Sequence, residues 1–196
     1  MRIEKRSYEV YSFDELSEGA KTKALEHFRD INVEYDGWHD PIIEGAQEDL
    51  KAMGYEDAKI FYSGFWSQGD GAIFTANVDI TQWMKSQAKA VKKQYAELEP
   101  IMHLLSVGIT QSGRYSHEMT MQCEVNTDAA DDLNELDRIL CNKLEDAILE
   151  DARSEARRIY KNLQTYYEEL TSDDQVIEAI KANDYEFEKN GKFFTL

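Results

Sequence analysis

The sequence predicts an α+β fold, in which an antiparallel sheet made of an N-terminal strand and two hairpins is covered by several helices, including a long C-terminal helix. Two pairs of β-rich runs, each joined by a glycine-containing turn, predict the hairpins. Apolar residues at helical spacing from residue 128 to about residue 170 predict the long helix. Neither a Pro/Ser-rich linker nor an internal repeat is present in the sequence, so we expect a single domain over residues 1–196.

The N-terminal segment predicts a strand that leads directly into a helix. Residues 3–11 alternate apolar and polar side chains in their second half, which is typical of a strand. Ser12 and Glu15 have the spacing of a capping box, in which both side chains engage the backbone at a helix start. We therefore expect an amphipathic helix over about residues 13–30.

A second helix and the first hairpin follow. Apolar residues recur at helical spacing over about residues 38–53, with Pro41 near the first turn, where proline is tolerated, and Gly54 as the C-terminal cap. The β-rich runs 59–65 and 72–80 then flank a six-residue loop that contains two glycines. This arrangement predicts a β-hairpin with an irregular loop.

A third helix is expected over about residues 82–98, with Thr81 as its cap. It carries a basic stripe formed by Lys85, Lys89, Lys92 and Lys93. Nucleic-acid binding through these lysines is one hypothesis, but four lysines are a small footprint in a chain of net charge −17. Salt bridges with the acidic helices of the same chain are the favoured role.

The second hairpin is predicted by the runs 104–110 and 115–125, turned at Ser112 and Gly113. Along its second strand, alternation places three residues on one face: Met119, Met121 and Cys123. We expect this hairpin to complete the sheet.

The C-terminal part is predicted to be mostly helical. The pattern over residues 128–170 has no clear break, and its length is unusual for a globular helix, so it could bend, be interrupted, or support a partner helix in a homodimer. A shorter helix, capped at Thr171 or Ser172, is expected to end near Ala182. The Asn-Gly pair at 190–191 is typical of a tight type I′ turn.

The composition is strongly acidic, because 39 Asp and Glu residues against 22 Lys and Arg give a formal net charge of −17. Such a surface repels a phosphate backbone, so we expect a protein partner with a basic surface and no direct binding of nucleic acid. Apolar residues make up 42% of the chain, which is typical of a folded protein and not of a disordered acidic tail.

The cysteines and the N-terminal segment bear on the compartment. Cys123 and Cys141 have no paired spacing and are expected to be buried thiols in a reducing environment. The N-terminal segment is charged and lacks the apolar core of a signal peptide, and no stretch approaches the roughly 20 apolar residues that span a bilayer. We therefore expect a cytoplasmic protein without membrane association.

The most unusual segment is 63–72, Ser-Gly-Phe-Trp-Ser-Gln-Gly-Asp-Gly-Ala, because its glycines permit positive φ or close backbone approach. Its aromatic and polar residues could bind a partner or a ligand; the candidates are Trp66, Ser67, Gln68 and Asp70. The alternative is structural, with Trp66 packed on a helix and Asp70 bonded to the amides of its own loop. The segment matches neither a Walker loop nor a dinucleotide fingerprint.

Residues with catalytic or metal-binding chemistry lack the spacing that such sites require. The histidines are scattered, and one metal-site hypothesis combines His39 with Asp40 and Glu44. The sequence contains no nucleophile elbow, and neither cysteine lies in an activating context. The sequence therefore favours a non-enzymatic function, leaves an enzyme open, and predicts no metal and no cofactor.

The acidic residues are concentrated in two runs. Residues 128–151 contain nine acids against two basic residues, and residues 168–188 contain eight against one. These runs could mimic a nucleic-acid backbone, although such a helix carries only about a third of the charge density of duplex DNA. The alternative is a solvated surface that keeps the protein soluble. The candidate acidic interaction face consists of Asp128, Asp131, Asp132, Glu135, Glu145 and Asp146.

Three segments together resemble a family of acidic phage and prophage proteins that are sometimes labelled antitoxin-like. They are Tyr-Ser-Phe-Asp-Glu-Leu-Ser at 11–17, Phe-Tyr-Ser-Gly-Phe-Trp-Ser-Gln-Gly-Asp-Gly-Ala at 61–72, and Ile-Lys-Ala-Asn-Asp-Tyr-Glu-Phe at 180–187. The resemblance implies a phage or prophage context in a bacterial host cell, where small acidic proteins often neutralise host defences. It transfers no settled activity.

Charge, motif spacing and resemblance together predict a phage-type accessory protein. We expect it to bind, and thereby inhibit, a host defence or nucleic-acid-processing protein through the acidic face and the loop around Trp66. The alternative is an enzyme or a small-ligand-binding protein that uses the loop from Gly64 to Gly71. Loss of activity in Trp66→Ala or Asp70→Ala with intact folding would favour that alternative.

Overall fold

A computed structural model of the chain describes residues 1–3, 7–127 and 133–195. The chain divides into two compact units, the terminal unit (Met1–His39 with Thr165–Leu196) and the sheet unit (Asp40–Gln164). Helices together with a four-stranded antiparallel sheet in the described ranges confirm the predicted α+β class. The expectation of one domain over residues 1–196 stays a prediction.

The helices of the described ranges include the long C-terminal helix that the sequence predicted. They are α1 (Glu18–His27), α2 (Asp40–Ala52), α3 (Ile80–Ser86), α4 (Lys89–Gln94), α5 (Glu135–Leu170) and α6 (Asp173–Ala182). Helix α5 is continuous over 36 residues. Pro41 is the second residue of α2, and Gly54 follows this helix with a φ of +98°, as the sequence indicated.

The sheet unit is built around two hairpins. Its strands are β1 (Tyr55–Tyr62), β2 (Ala72–Val78), β3 (Ser106–Gln111) and β4 (Met121–Asn126). They pair antiparallel in chain order, so β1 and β4 are the two edges. Tyr62 pairs with Ala72 at the end of the first hairpin, and Gln111 pairs with Met121 at the end of the second. Both predicted hairpins are confirmed.

Helix α5 supplies much of the core of the sheet unit. Its apolar residues recur at helical spacing, and six of them are fully buried: Leu144, Ile148, Ala152, Ala156, Ile159 and Leu163. They belong to one hydrophobic cluster with buried strand residues such as Tyr55, Phe74 and Met121. Alternate residues of β4 are buried and exposed, as expected for a strand with one covered face.

The terminal unit has a smaller core between α1, α6 and the chain ends. Phe13, Ala24, Val176, Ile180 and Phe187 belong to this cluster. Two predicted capping residues are used in this unit, Ser172 at the start of α6 and Ser12 at the start of a 3-10 turn that precedes α1. The Glu15 carboxylate accepts from the Ser12 amide and hydroxyl at 2.8 Å each, and the Ser172 hydroxyl accepts from the Gln175 amide at 3.4 Å.

In the described part of segment 3–11, the structure has an isolated bridge in place of the predicted strand. Residues 4–6 lie outside the described residues, and Tyr11 makes an isolated antiparallel bridge with Phe187. Backbone hydrogen bonds of 2.9 and 2.8 Å join these two residues in the terminal unit. Residues 13–15 form a 3-10 turn, so α1 begins later than predicted, at Glu18.

The cap predicted for the third helix is also corrected. Asp79, and not Thr81, precedes α3, and its carboxylate accepts from the Gln82 amide at 3.0 Å. Asp79 fits this role because its backbone is extended and its carboxylate complements the positive end of the helix.

The helix predicted over residues 82–98 is interrupted. Gln87 has an extended backbone with a ψ of 160°, and α4 begins only after it. Tyr95 and Leu98, which follow α4, are 2% and 0% exposed. Burial of these two side chains outweighs the preference of the segment for one straight helix.

Met119 does not lie on the strand face predicted for it. It belongs to a 3-10 turn, Glu118–Thr120, that precedes β4, and it is 64% exposed. Met121 and Cys123 are buried in the core, as predicted. Cys141 is buried as well, so both cysteines are buried thiols. None of the helices in the described ranges combines the length and the hydrophobicity needed to cross a lipid bilayer.

Candidate functional site

The loop between β1 and β2, residues 63–71, is closed at its base and is called the Trp66 loop below. The Ser63 amide donates to the Gly71 carbonyl at 3.0 Å, and the Gly71 amide donates to the Ser63 hydroxyl at 3.2 Å. These bonds continue the pairing of the two strands beyond Tyr62 and Ala72. The loop is therefore an ordered extension of the hairpin.

Asp70 holds the backbone of this loop from inside. Its Oδ2 accepts from the amides of Trp66 at 3.1 Å and Ser67 at 2.7 Å, and its own amide donates to the Ser67 carbonyl at 3.1 Å. A Cβ at Gly64 would lie 3.1 Å from the same oxygen, so a side chain there would crowd the clamp. The contacts of Asp70 match the structural role that was one of the two predictions for it.

Contacts between aromatic rings also hold the Trp66 loop in place. Phe65 stacks on Tyr62 with centroids 6.0 Å apart and contacts the ring of Tyr160 from α5 at 5.7 Å. The Tyr160 hydroxyl donates to the carbonyl of Gly64 at 3.1 Å. Burial, and then the negative charge of Asp70, raise the pKa of Tyr160 above its ordinary value.

Trp66 itself is displayed to solvent. Its side chain is 68% exposed, and its ring meets Phe65 edge to face with centroids 5.7 Å apart. Ser67 and Gln68 are exposed beside it. At this exposure most of Trp66 is not covered, whereas the ring of Phe65 contacts Tyr160 of α5. Three of the four candidate loop residues face solvent, and Asp70 is the clamp.

A second segment, residues 112–120, lies against the Trp66 loop. A Cβ at Gly71 would lie 3.0 Å from the Ser116 carbonyl oxygen, so a larger residue there would require a small shift of the neighbouring segment. Tyr115 and Met119 of this segment are 57% and 64% exposed. We call Trp66, Tyr115 and Met119 the tip surface. The sequence did not mark Tyr115 and Met119 as site residues; its one signal was a polar turn sequence, Ser-Gly-Arg, directly before Tyr115.

The segment 112–120 is also held in place by its own contacts. The Thr120 hydroxyl oxygen lies 2.9 and 2.8 Å from the carbonyl oxygens of Tyr115 and His117, so its one hydrogen can be donated to either of them. Arg153 of α5 donates to the carbonyls of Glu118 and Met121 at 3.3 and 3.2 Å. Both loops that contain the tip surface are therefore held in place by hydrogen bonds.

The predicted acidic face is only partly assembled by the described residues. Asp128, Asp131 and Asp132 lie outside the described residues. Glu135 and Asp146 are exposed on α5, and their spacing places them about 20° apart around the helix, on one side. Glu145 is half-buried and accepts from the backbone amide of Val125 at 3.2 Å. Glu145 therefore accepts a hydrogen bond from the edge strand β4, so its carboxylate has a structural role as well as a charge.

The other chemical hypotheses find little geometric support. Lys92 donates to the backbone carbonyl of Lys85 at 2.8 Å, so part of the lysine stripe serves to hold α4 against α3. No group of three or more His, Cys, Asp or Glu residues within the described ranges, the proposed His39, Asp40 and Glu44 set included, is arranged to hold a metal ion.

Comparison with known proteins gives one family. A model described as a domain of unknown function, DUF8835, matches residues 38–173. This match includes the whole sheet unit and, with it, the Trp66 loop and the tip surface. Among curated proteins and among solved structures, no match was found. Because the match covers more than half of the chain, the chain belongs to the DUF8835 family.

Proposed function

We propose that this chain is a phage-type accessory protein that binds and inhibits a host defence or nucleic-acid-processing protein, with Trp66 as the anchor of the interface. One observation supports the binding function most directly. Trp66 is 68% exposed on a loop whose backbone is fixed by Asp70 and Tyr160. The phage context rests on the resemblance of the three sequence segments.

An exposed tryptophan on a fixed loop is typical of a binding site for a protein. Tryptophan is enriched among the few interface residues that supply most of the binding free energy. A loop that is already ordered loses little conformational entropy on binding, which improves affinity. The bonds of Asp70 and Ser63 within the loop fix the backbone that carries Trp66.

The tip surface extends this anchor. Tyr115 and Met119 add exposed apolar area on the neighbouring segment, and the Arg114 guanidinium lies 5.0 Å from the centroid of the Tyr115 ring. Tyrosine, tryptophan, methionine and arginine are the residue types enriched at protein interfaces. The composition of this surface therefore favours a protein partner.

The charge of the chain favours a partner with a basic surface. A net charge of −17 produces a negative potential that accelerates association with a positive surface and weakens as salt is added. Glu135 and Asp146 are exposed members of the predicted acidic face on α5. In this proposal, charge steers the encounter, and the tip surface supplies the short-range contacts.

The test begins with affinity capture from a bacterial host lysate at low and high salt. The captured protein is then purified and titrated with the wild type and with Trp66→Ala. We expect Trp66→Ala to weaken binding by at least roughly 30-fold, which corresponds to about 2 kcal/mol for an interface anchor. Inhibition of the partner's activity is measured with the same two proteins.

Leu136→Ala is the matched control, because Leu136 is also a large apolar side chain, 51% exposed, on the same unit and about 80–100° around α5 from Glu135 and Asp146. It precedes Tyr160 on α5 by about 36 Å of helix. The control should bind like the wild type. Capture of no specific protein, or equal affinities for Trp66→Ala and the wild type, would contradict the proposal.

A further inference from the structure

A second candidate site lies in the terminal unit, in a cleft between α1 and the turn that follows Phe187. The cleft has a volume of about 520 Å³. That volume is within the roughly 300–1,000 Å³ usual for small-molecule sites. We call it the basic cleft. It is lined by the side chains of Lys23, His27, Asn190, Lys192, Phe193 and Thr195. Two lysines and a histidine meet here in a chain of net charge −17, and none of the cleft's lining residues carries a carboxylate.

The walls of the basic cleft are fixed by backbone contacts. Gly191 has a φ of +85°, and a Cβ at this position would collide with the Ala20 carbonyl oxygen of α1. The Gly191 amide donates to the Glu188 carbonyl at 2.9 Å, and the Lys192 amide donates to Asn190 Oδ1 at 2.9 Å. The turn therefore packs directly against α1, and these contacts fix the position of the Lys192 backbone relative to that helix.

The cationic side chains come from both walls. Lys23 and His27 are four residues apart on α1, so they project from one face of the helix. Lys192 projects from the opposite wall, where its Nζ lies 3.6 Å from a carboxylate oxygen of Glu188. The Lys192 side chain is 73% exposed and that of Glu188 is 44% exposed, so solvent screens the pair and leaves Lys192 able to bind a stronger anion.

The floor of the cleft is aromatic. The rings of His27 and Phe193 are nearly parallel, with centroids 6.2 Å apart and an interplanar angle of 30°. Phe193 also packs on Phe28 at 5.1 Å and on Tyr185 at 5.0 Å, which joins it to the core of the unit. A planar ring can stack on such a fixed aromatic surface. The polar ends of Asn190 and Thr195 can bond hydroxyl groups.

We propose that the basic cleft binds a small phosphorylated molecule with a planar ring, of the class of the nucleoside monophosphates. Lys23 and Lys192 hold the phosphate from opposite walls, since ammonium groups form short, charge-assisted bonds with phosphate oxygens. The ring stacks on His27 and Phe193. These residues lie outside the family match at 38–173, so the site belongs to the terminal segments of this chain and is independent of the tip surface.

The test is an NMR titration of the isotope-labelled full chain with adenosine, guanosine, cytidine and uridine monophosphates. Inorganic phosphate, adenosine and phosphotyrosine are separate arms. We expect saturable shifts at the amides of Lys23, Gly191 and Lys192 with at least one nucleotide, and at least roughly tenfold weaker binding of phosphate alone and of adenosine alone. Lys23→Gln with Lys192→Gln should weaken nucleotide binding at least about tenfold.

Lys21→Gln with Lys189→Gln is the matched control, because it removes the same charge from the same helix and from a neighbouring exposed position. It should bind like the wild type. Absence of saturable binding by all four nucleotides, or equal weakening in the two double variants, overturns the site. Tighter binding of phosphotyrosine than of any nucleotide overturns the ligand class.

Discussion

Tyr55 donates a hydrogen bond of 2.7 Å to Oδ2 of Asp151, and this bond connects the first strand of the sheet to the middle of helix α5. The same oxygen accepts from the indole N–H of Trp83 on α3 at 2.8 Å. Tyr55 and Trp83 are 0% and 1% exposed, so this carboxylate accepts from two donors within the core. The Ile148 carbonyl is a second, longer acceptor for the Tyr55 hydroxyl, at 3.4 Å. One acidic residue of the long helix therefore orders three elements of the sheet unit.

Asp151→Ala is expected to destabilise the sheet unit strongly. The substitution leaves the Tyr55 hydroxyl and the Trp83 indole N–H buried without this acceptor, at a cost of about 1–3 kcal/mol each. We therefore expect a loss of about 2–6 kcal/mol in the free energy of unfolding. Urea denaturation followed by circular dichroism measures it.

Asp151→Asn is the control for this experiment, because the amide keeps one carbonyl oxygen where the carboxylate accepts both bonds. It should lose clearly less stability than Asp151→Ala. Equal stability of Asp151→Ala and the wild type would show that water replaces the carboxylate without cost.

Stability is expected to fall in alkaline solution. Burial, followed by the negative charge of Asp151, raises the pKa of Tyr55 far above its ordinary value of about 10. Below pH 10 this tyrosine is protonated in both states, whereas above it only the unfolded state loses the proton. Each pH unit above about 10 therefore removes about 1.4 kcal/mol of unfolding free energy through this one group.

Tyr55→Phe isolates this contribution. The variant should be less stable than the wild type at neutral pH, and the gap should narrow by about 1.4 kcal/mol per pH unit above pH 10. Denaturant midpoints measured between neutral and strongly alkaline pH test this. Parallel stability curves for the two proteins would contradict the expectation.

The two hairpins and the long helix could be predicted because their signals are local. Alternation predicts strands, helical spacing predicts helices, and Pro41 and Gly54 mark the bounds of α2. The partner of the N-terminal segment could not be predicted, since a pattern near Tyr11 does not specify a bridge to Phe187. The break at Gln87 depends on the burial of later side chains, which is a tertiary effect.

The candidate site likewise combines features that the sequence indicated with features that only the structure shows. The glycines and the aromatic residue at 66 marked the loop in the sequence, and the clamp formed by Asp70 was one of its two interpretations. The approach of residues 112–120 to Gly71 joins parts of the chain about forty residues apart, which no local pattern indicates. Tyr115 and Met119 could therefore be assigned to the tip surface only from the structure.

Glu145→Ala is expected to weaken the edge of the sheet as well as the negative charge of α5. Its carboxylate accepts the amide of Val125 on the edge strand β4 at 3.2 Å. Amide hydrogen exchange at Val125 should accelerate at least roughly tenfold, since that bond protects it. Asp146→Ala, which removes an exposed neighbour of equal charge, should leave this amide unchanged. Similar exchange rates of the Val125 amide in the two variants would contradict the role of Glu145 as its hydrogen-bond acceptor.

The two cysteines are expected to react only when the sheet unit opens. Cys123 and Cys141 are 8% and 4% exposed, and burial beside Glu145 and Asp146 raises the pKa of Cys123 to about 12. Few thiolates therefore exist in the folded protein at pH 8. Modification by a disulfide reagent should follow the unfolding transition in urea. Rapid labelling of both thiols in the absence of urea would contradict it.

Asp70→Ala is expected to loosen the Trp66 loop without unfolding the protein. The substitution removes the acceptor for the amides of Trp66 and Ser67, and these bonds lie in a solvent-facing loop. The loss of unfolding free energy should therefore stay near about 1–2 kcal/mol. Hydrogen exchange should accelerate at those two amides and remain slow in the strands.

Binding separates the role of the clamp from that of the tryptophan. Asp70→Ala retains Trp66, so any loss of partner affinity comes from the entropy of ordering a loop that is no longer fixed. We expect a loss smaller than that of Trp66→Ala, with Asp70→Asn between the wild type and Asp70→Ala because its amide oxygen still accepts. If Asp70→Ala binds less tightly than Trp66→Ala, Asp70 itself contacts the partner, and the clamp is not its main role in binding.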